Sequence, residues 1–181
     1  MRKPLQCVLL LLLAASLVAA VGAVAEKRGE QASVVVYFSP RGGCQDAIVR
    51  EVDGATESIH VQAYSFTSTP TARALSQAKK RGVKVEVMLD AGRVTENYSE
   101  ATFFAHQGIS VFADGKHQIA HNKVMVIDGA TVITGSFNFT KAAEESNAEN
   151  LLVLRSREIA AKYEKNYQDH LAHSTKYEAR Q

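Results

Sequence analysis

Residues 58–89 read SIHVQAYSFTSTPTARALSQAKKRGVKVEVML, and the fold class follows from how that stretch is punctuated. Ser58–Tyr64 alternates with period two: Ile59, Val61 and Ala63 face one way, and His60, Gln62 and Tyr64 the other. Val83, Val85, Val87 and Leu89 form one face of a second such strand. Between them Ala72, Leu75 and Ala78 make the buried stripe of a helix. Thr69 suits its N-cap, Pro70 its first helical position and Gly82 its end. Strand, helix and strand thus follow one another within a single short stretch.

The alternation continues outward in both directions. Upstream, Ser33–Phe38 is a β-branched strand closed by Pro40 and Gly42-Gly43, and Asp46–Val52 is helical and ends at Gly54. Downstream, Glu100–Gln107 has a weaker helical pattern, followed by a short strand at Ser110–Phe112. Lys123–Ile127 and Thr131–Thr134 read as a strand pair around Asp128-Gly129, a hairpin signal. Leu151–Leu154 is a further strand. Ser156 caps a last helix in which Ile159, Tyr163, Tyr167 and Leu171 recur every four residues. Such alternation predicts an α/β domain: a layered α-β-α arrangement with a mixed, largely parallel central sheet covered by helices. No internal repeat or domain break interrupts residues 33–175.

The composition agrees with a folded domain. The chain has 181 residues, 46% hydrophobic and 22% charged, with three prolines, which excludes collagen-like, low-complexity and disordered classes. Residues 1–25 stand apart. Arg2 and Lys3 are followed by a charge-free run from Cys7 to Ala25, leucine-rich at first and then rich in small residues. Ala23-Val24-Ala25 fits a signal-peptidase site, so the expected organisation is a signal peptide at 1–25 and one domain at 26–181. An uncleaved membrane anchor is the competing reading. Either way the domain lies across a membrane, which in a bacterium means a periplasmic or secreted protein, with no stable membrane association once the segment is cleaved. Losing Arg2 and Lys3 leaves 19 basic against 19 acidic residues, so any nucleic-acid-binding surface has to be local. It also leaves Cys44 as the one cysteine, too few for a disulfide framework.

The chemistry concentrates in His121-Asn122-Lys123-Val124-Met125-Val126-Ile127-Asp128-Gly129, continued by Gly135-Ser136-Phe137-Asn138. Period two sets His121 and Lys123 on one face, with Val124 and Val126 directed into the core. Ser136 and Asn138 are again two apart, and the hairpin brings the two pairs side by side. Imidazole, ammonium, hydroxyl and carboxamide together suit a phosphodiester: a nucleophile or acid–base group near neutral pH, and donors where charge gathers on phosphorus. No carboxylate cluster suggests magnesium, and no cysteine pair suggests zinc. The residues alone also fit a solvated strand edge. His117 and His121, four apart, raise a metal reading that lacks a third ligand at a sensible spacing.

His-x-Lys-x4-Asp-x6-Gly-Ser-x-Asn resembles the HKD motif of the phospholipase D superfamily, with every position filled. The wider chain, roughly residues 33–175, is similar to the small bacterial single-motif endonucleases of the Nuc type. Tyr37-Phe38-Ser39-Pro40, Gln62-Ala63-Tyr64-Ser65-Phe66 and Glu149-Asn150 carry that wider likeness. The resemblance implies a phospholipase D-like fold and a phosphohistidine mechanism. His121 would be the nucleophile, Lys123 and Asn138 would hold the non-bridging oxygens, and Ser136 would support the same region. Glu149 would accept a hydrogen bond from the other nitrogen of His121, and Asp128 would serve near the site, chiefly as a structural residue. One motif per chain supplies one imidazole, so a homodimer sharing a site is implied. No cofactor and no metal are expected. The expected substrate is DNA, then RNA. The rival readings are a phospholipase acting on lipid headgroups and a catalytically silent nucleic-acid-binding module.

Several other features stay open on sequence. His60, Gln62 and Tyr64 either border the pocket or pack beneath a helix, and Lys79-Lys80-Arg81 with Lys84 is a solvated helix end or a phosphate track. Ser39–Gly43 and Asp114–His117 are loops placed to rim the site. His170, His173 and Lys176–Gln181 read as a helix end and fraying tail.

Overall fold

The computed structural model describes residues 32–179, so the signal-peptide reading of 1–25 lies outside the described residues. In chain order the elements are β1 (Ser33–Ser39), α1 (Cys44–Gly54), β2 (Ser58–Ala63), α2 (Thr69–Lys80), β3 (Lys84–Asp90) and α3 (Ala101–His106). There follow β4 (Ser110–Asp114), β5 (Lys123–Ile127), β6 (Thr131–Gly135), α4 (Lys141–Glu145), β7 (Glu149–Arg155), α5 (Arg157–Leu171) and β8 (Thr175–Lys176). The strands form one sheet in the order β1-β7-β6-β5-β2-β3-β4-β8.

The sheet is mixed, but the largely parallel character expected from the alternation is corrected. Only β2–β3 and β3–β4 run parallel; β1–β7, β7–β6, β6–β5, β5–β2 and β4–β8 are antiparallel. The reason is the connections. Helical crossovers through α2 and α3 preserve strand direction, whereas the β5–β6 hairpin and the insertion of β7 between β1 and β6 reverse it.

Both faces are covered. Ile59, Val61, Val85, Val87, Met125 and Ile133 meet Ile48, Val52, Leu75, Phe104 and Ala143 from α1 to α4 in the larger core. On the opposite face α5 is the one helix among the described residues: Ala160, Ile159 and Tyr163 lie over Val124, Val126 and Val132. Val124 and Val126 are therefore buried as expected, but in the smaller core, while Met125 and Ile127 enter the larger one.

Two sequence expectations shift at helix ends. Ser68, not Thr69, caps α2, its hydroxyl accepting from the Thr71 amide; Thr69 is already helical and donates to Glu100. The tail after His173 does not fray at once. Thr175–Lys176 pairs antiparallel with β4, and the Tyr177 hydroxyl meets Thr102 Oγ1 at 2.9 Å.

Candidate active site

The carboxyl ends of β1, β2, β3 and β6 and the amino ends of β5 and β7 lie at one edge of the sheet. Lys123 opens β5 opposite Ala63 of β2, and the Tyr64 amide donates to the Asn122 carbonyl at 2.9 Å. This ladder fixes His121 just beyond the strand end, where it is exposed. Lys123 is buried, and its Nζ donates to the His121 carbonyl at 2.9 Å, pinning the backbone that carries the imidazole. Burial pushes the Lys123 ammonium below its ordinary range, and the nearby Glu149 carboxylate works against that shift.

The second pair is delivered by a close approach of chain to chain. Gly135 adopts φ +145°, and a Cβ there would sit 2.3 Å from the Asn150 carbonyl oxygen, so only glycine lets β6 press this closely on β7. Ser136 follows, with its hydroxyl oxygen accepting from the Asn150 amide at 3.1 Å and from Asn150 Nδ2 at 3.3 Å. Asn138 is flanked in the chain by the buried residues Phe137 and Phe139, and its Oδ1 is buried without a hydrogen-bond partner. A buried amide oxygen left so is costly unless it faces a ligand or water.

Tyr64 and Arg93 complete the neighbourhood. The Tyr64 ring lies edge-on to His121, with centroids 4.7 Å apart. Arg93 sits over the same ring at 4.7 Å, its Nε donating to the Tyr64 hydroxyl at 2.8 Å. Arg93 lies in the turn after β3, and no spacing in the sequence links it to His121. The face shared by His60, Gln62 and Tyr64 divides: His60 stacks on Tyr167 beneath α5, 4.7 Å between rings, Gln62 is buried with both amide atoms unpartnered, and Tyr64 lies against His121.

Glu149 opens β7 opposite Ser39 and takes its hydrogen bond from Asn147 Nδ2 at 3.3 Å. Among the described residues no hydrogen bond joins it to His121, so the expected orienting contact is not formed within one chain. Asp128 is not at this edge at all. It lies at the other end of β5, where its carboxylate accepts from the amides of Thr56, Glu57 and Ser58 and from the Thr56 hydroxyl. The expectation that it serves near the site is corrected to a structural role at the opposite pole; a strand of this length separates the two by about 16 Å. His117 turns away from His121 toward His170, 4.8 Å between rings.

A mixed sheet with one imidazole, a buried ammonium, a guanidinium and an orphan carboxamide at its edge defines a phosphodiester-handling class of α/β protein. The sequence pattern described as "Cardiolipin synthase, PLD-like domain" matches residues 48–171, and the chain belongs to this family, the phosphodiesterases of the phospholipase D superfamily. It is 41% identical over 137 residues to a phospholipase D of Rickettsia felis, covering 76% of this chain and 68% of that one. It is also 33% identical over 115 residues to the mitochondrial cardiolipin hydrolase of Xenopus laevis, covering 64% of this chain and 55% of that one. Among solved structures it is similar to Nuc of Salmonella typhimurium, a phospholipase D family member. That similarity has a TM-score of 0.79 at 38% identity and covers 82% of this chain and all of the other.

Proposed function

We propose that the protein is an endonuclease that cleaves DNA, with RNA an alternative substrate, and with little sequence preference. The observation that carries this reading is the pairing of Arg93 and Lys123 on the Tyr64 ring beside His121. Two cations beside an exposed imidazole, Arg93 being also ion-paired with Glu96 on its solvent side, suit a polyanionic backbone, and contacts to phosphate carry no base information. Residues 1–25, read as an export signal, would place this activity in the periplasm or outside the cell.

In this reading His121 attacks phosphorus. The bond to the leaving oxygen breaks, and His121 of the partner subunit gives that oxygen its proton. Water then attacks the phosphohistidine, passing a proton to the partner's His121 as the phosphorus–nitrogen bond breaks. Lys123, Asn138 and Ser136 hold the non-bridging oxygens through both steps. Support for a second copy comes from β1, an edge strand whose Val34, Val36 and Phe38 are exposed on one face, with Phe38 next to the Ser39–Glu149 pair. An exposed apolar edge of this kind favours burial against another chain.

A second reading, hydrolysis of phospholipid headgroups, is favoured by exposed Phe38 and Ile119 near the same edge and by the names of the Rickettsia and Xenopus relatives. No helix among the described residues is long and apolar enough to cross a membrane. Supplying the protein with plasmid DNA, RNA and phospholipid vesicles in parallel, at matched phosphodiester concentration, decides between them. Cleavage of DNA at a rate well above headgroup release is expected; the reverse order would overturn the nuclease reading.

A further inference from the structure

Away from the catalytic residues, three imidazoles converge on one carboxylate. Asp114 ends β4, and its side chain has no solvent exposure. His170 Nδ1 lies 2.6 Å from Asp114 Oδ2, His117 Nδ1 lies 3.3 Å from the same oxygen, and His173 Nε2 lies 3.2 Å from Oδ1. The rings also crowd one another: His117 is 4.8 Å from His170 and 5.4 Å from His173, and His170 is 5.3 Å from His173. One ligand atom from each of the four residues lies within 4.8 Å of all the others. His173 Nε2 is buried and, although within ion-pair reach of Asp114, makes no hydrogen bond.

Ion pairing alone accounts poorly for this cluster. Three protonated rings would gather excess positive charge around one carboxylate that has itself no solvent exposure, although the His117 ring is open to water. Neutral rings leave a buried nitrogen such as His173 Nε2 without a partner. A cation meets both difficulties, since neutral imidazoles lend it lone pairs and the carboxylate lends it charge. Three nitrogens and one oxygen are the donor set of a borderline-soft ion rather than of magnesium or calcium.

We propose that Asp114, His117, His170 and His173 form a closed tetrahedral site for a divalent transition cation of the zinc type. Zinc bonds of 2.0–2.2 Å set ligand atoms roughly 3.4 Å apart. The His117 and His173 nitrogens already stand 3.3 and 3.2 Å from the carboxylate oxygens, and His170 Nδ1, hydrogen-bonded to Oδ2 at 2.6 Å, has to draw back by about 0.8 Å to admit the ion. Two short segments supply the ligands: Asp114-x-x-His117 from the loop after β4, and His170-x-x-His173 from the end of α5. Four protein ligands leave no open position, so the ion is structural. It clamps α5 to the loop that, four residues past His117, delivers His121. The Ala120 amide, donating to Asp90 Oδ2 at 2.8 Å, ties the same loop a second time.

The test uses full-length protein stripped with chelator and titrated with Zn²⁺ alone against a chromogenic competitor, with Co²⁺ as an optical probe. One ion per chain is expected, with a tetrahedral cobalt spectrum and a rise in melting temperature of about 5 °C or more. Affinity should fall by about 100-fold or more in His173→Ala. His117→Gln, altering the most exposed of the three rings, gives the same result in a variant least prone to misfold. His121→Ala should bind as wild type does. Wild-type affinity no greater than that of His173→Ala and His117→Gln, an octahedral cobalt spectrum, or loss of binding in His121→Ala would each overturn the site. Because the readout is binding, failure here leaves the nuclease reading intact.

Discussion

The rings of Tyr64 and His121 meet at 61°, while the Lys123 ammonium lies 5.2 Å from the same Tyr64 centroid. One aromatic ring thus spaces the exposed imidazole from two cations, its electron-rich face offsetting their mutual repulsion. Tyr64→Phe keeps the ring but releases Arg93 from the hydroxyl, and kcat/KM should fall by about 3–10-fold. Tyr64→Ala removes the spacer and should cost about 100-fold, the scale of a misplaced catalytic group. Steady-state rates on a chromogenic phosphodiester check both.

The site proposed to be shared between two subunits can be tested with mixtures. If both imidazoles of a dimer are needed, a wild-type/His121→Ala heterodimer is inactive. Co-refolding equal amounts should then leave about one quarter of the wild-type rate per total protein, because only homodimers of wild type turn over. A value of one half would mean that each chain works alone.

Lys123 should set the alkaline limit. Burial lowers its affinity for a proton, so the ammonium discharges at a lower pH than an ordinary lysine does. Activity should decline on the alkaline side before the ordinary lysine value of roughly 10.4 is reached. Lys123→Arg, charged throughout, should lose that limb even where its maximal rate is reduced. A pH profile of kcat/KM for both proteins is the measurement.

Asp128 should matter for stability and little for chemistry. Burial alone would raise its pKa, but hydrogen bonds from the Ser58, Glu57 and Thr56 amides and the Thr56 hydroxyl outweigh it, and the net shift is downward. A carboxyl held below its unfolded value stabilises fully above about pH 3.9, and that contribution is lost as pH falls through the folded value. Asp128→Asn, which still tolerates the left-handed φ of 52° found here, should destabilise by about 2 kcal/mol at neutral pH and flatten the acid limb of stability. Its kcat should stay within a few-fold of wild type. Urea melts against pH, paired with rates, check this.

Cys44 should be inert. Burial, helped by the charge of Glu144, pushes its thiol up to about 11, and the residue has no exposed surface. Alkylation by iodoacetamide at pH 8 should proceed only as fast as the protein unfolds.

Particular residues show how far the sequence carried. β-branched runs, period-two spacing and the turn residues between them identified every strand from β1 to β7, because strand preference and turn chemistry are local properties of the chain; alternating burial itself is absent from β1, which is mostly exposed, and from β5, which is buried throughout. The capping hydroxyl of Ser156 was legible for the same local reason, and its oxygen does accept from the Ile159 amide. Short elements escaped. Lys141–Glu145 has too few turns to display a stripe, and Thr175–Lys176 is a strand only because the edge of β4 is there to pair with it.

The sequence by itself determined the α/β alternation, the hairpin at Asp128-Gly129 and the placing of His121-x-Lys123 and Ser136-x-Asn138 at the same open end of that hairpin, all relations between residues near in the chain or joined by one turn. Only the tertiary structure decided that antiparallel pairs prevail, that Asp128 stands at the far pole, and that Arg93 reaches Tyr64. Only it brought His170 and His173 to Asp114, more than fifty residues earlier. Spacing encodes which way a side chain faces along its own element. Which elements become neighbours is set by how crossovers and hairpins stack the sheet, and no local pattern carries that information.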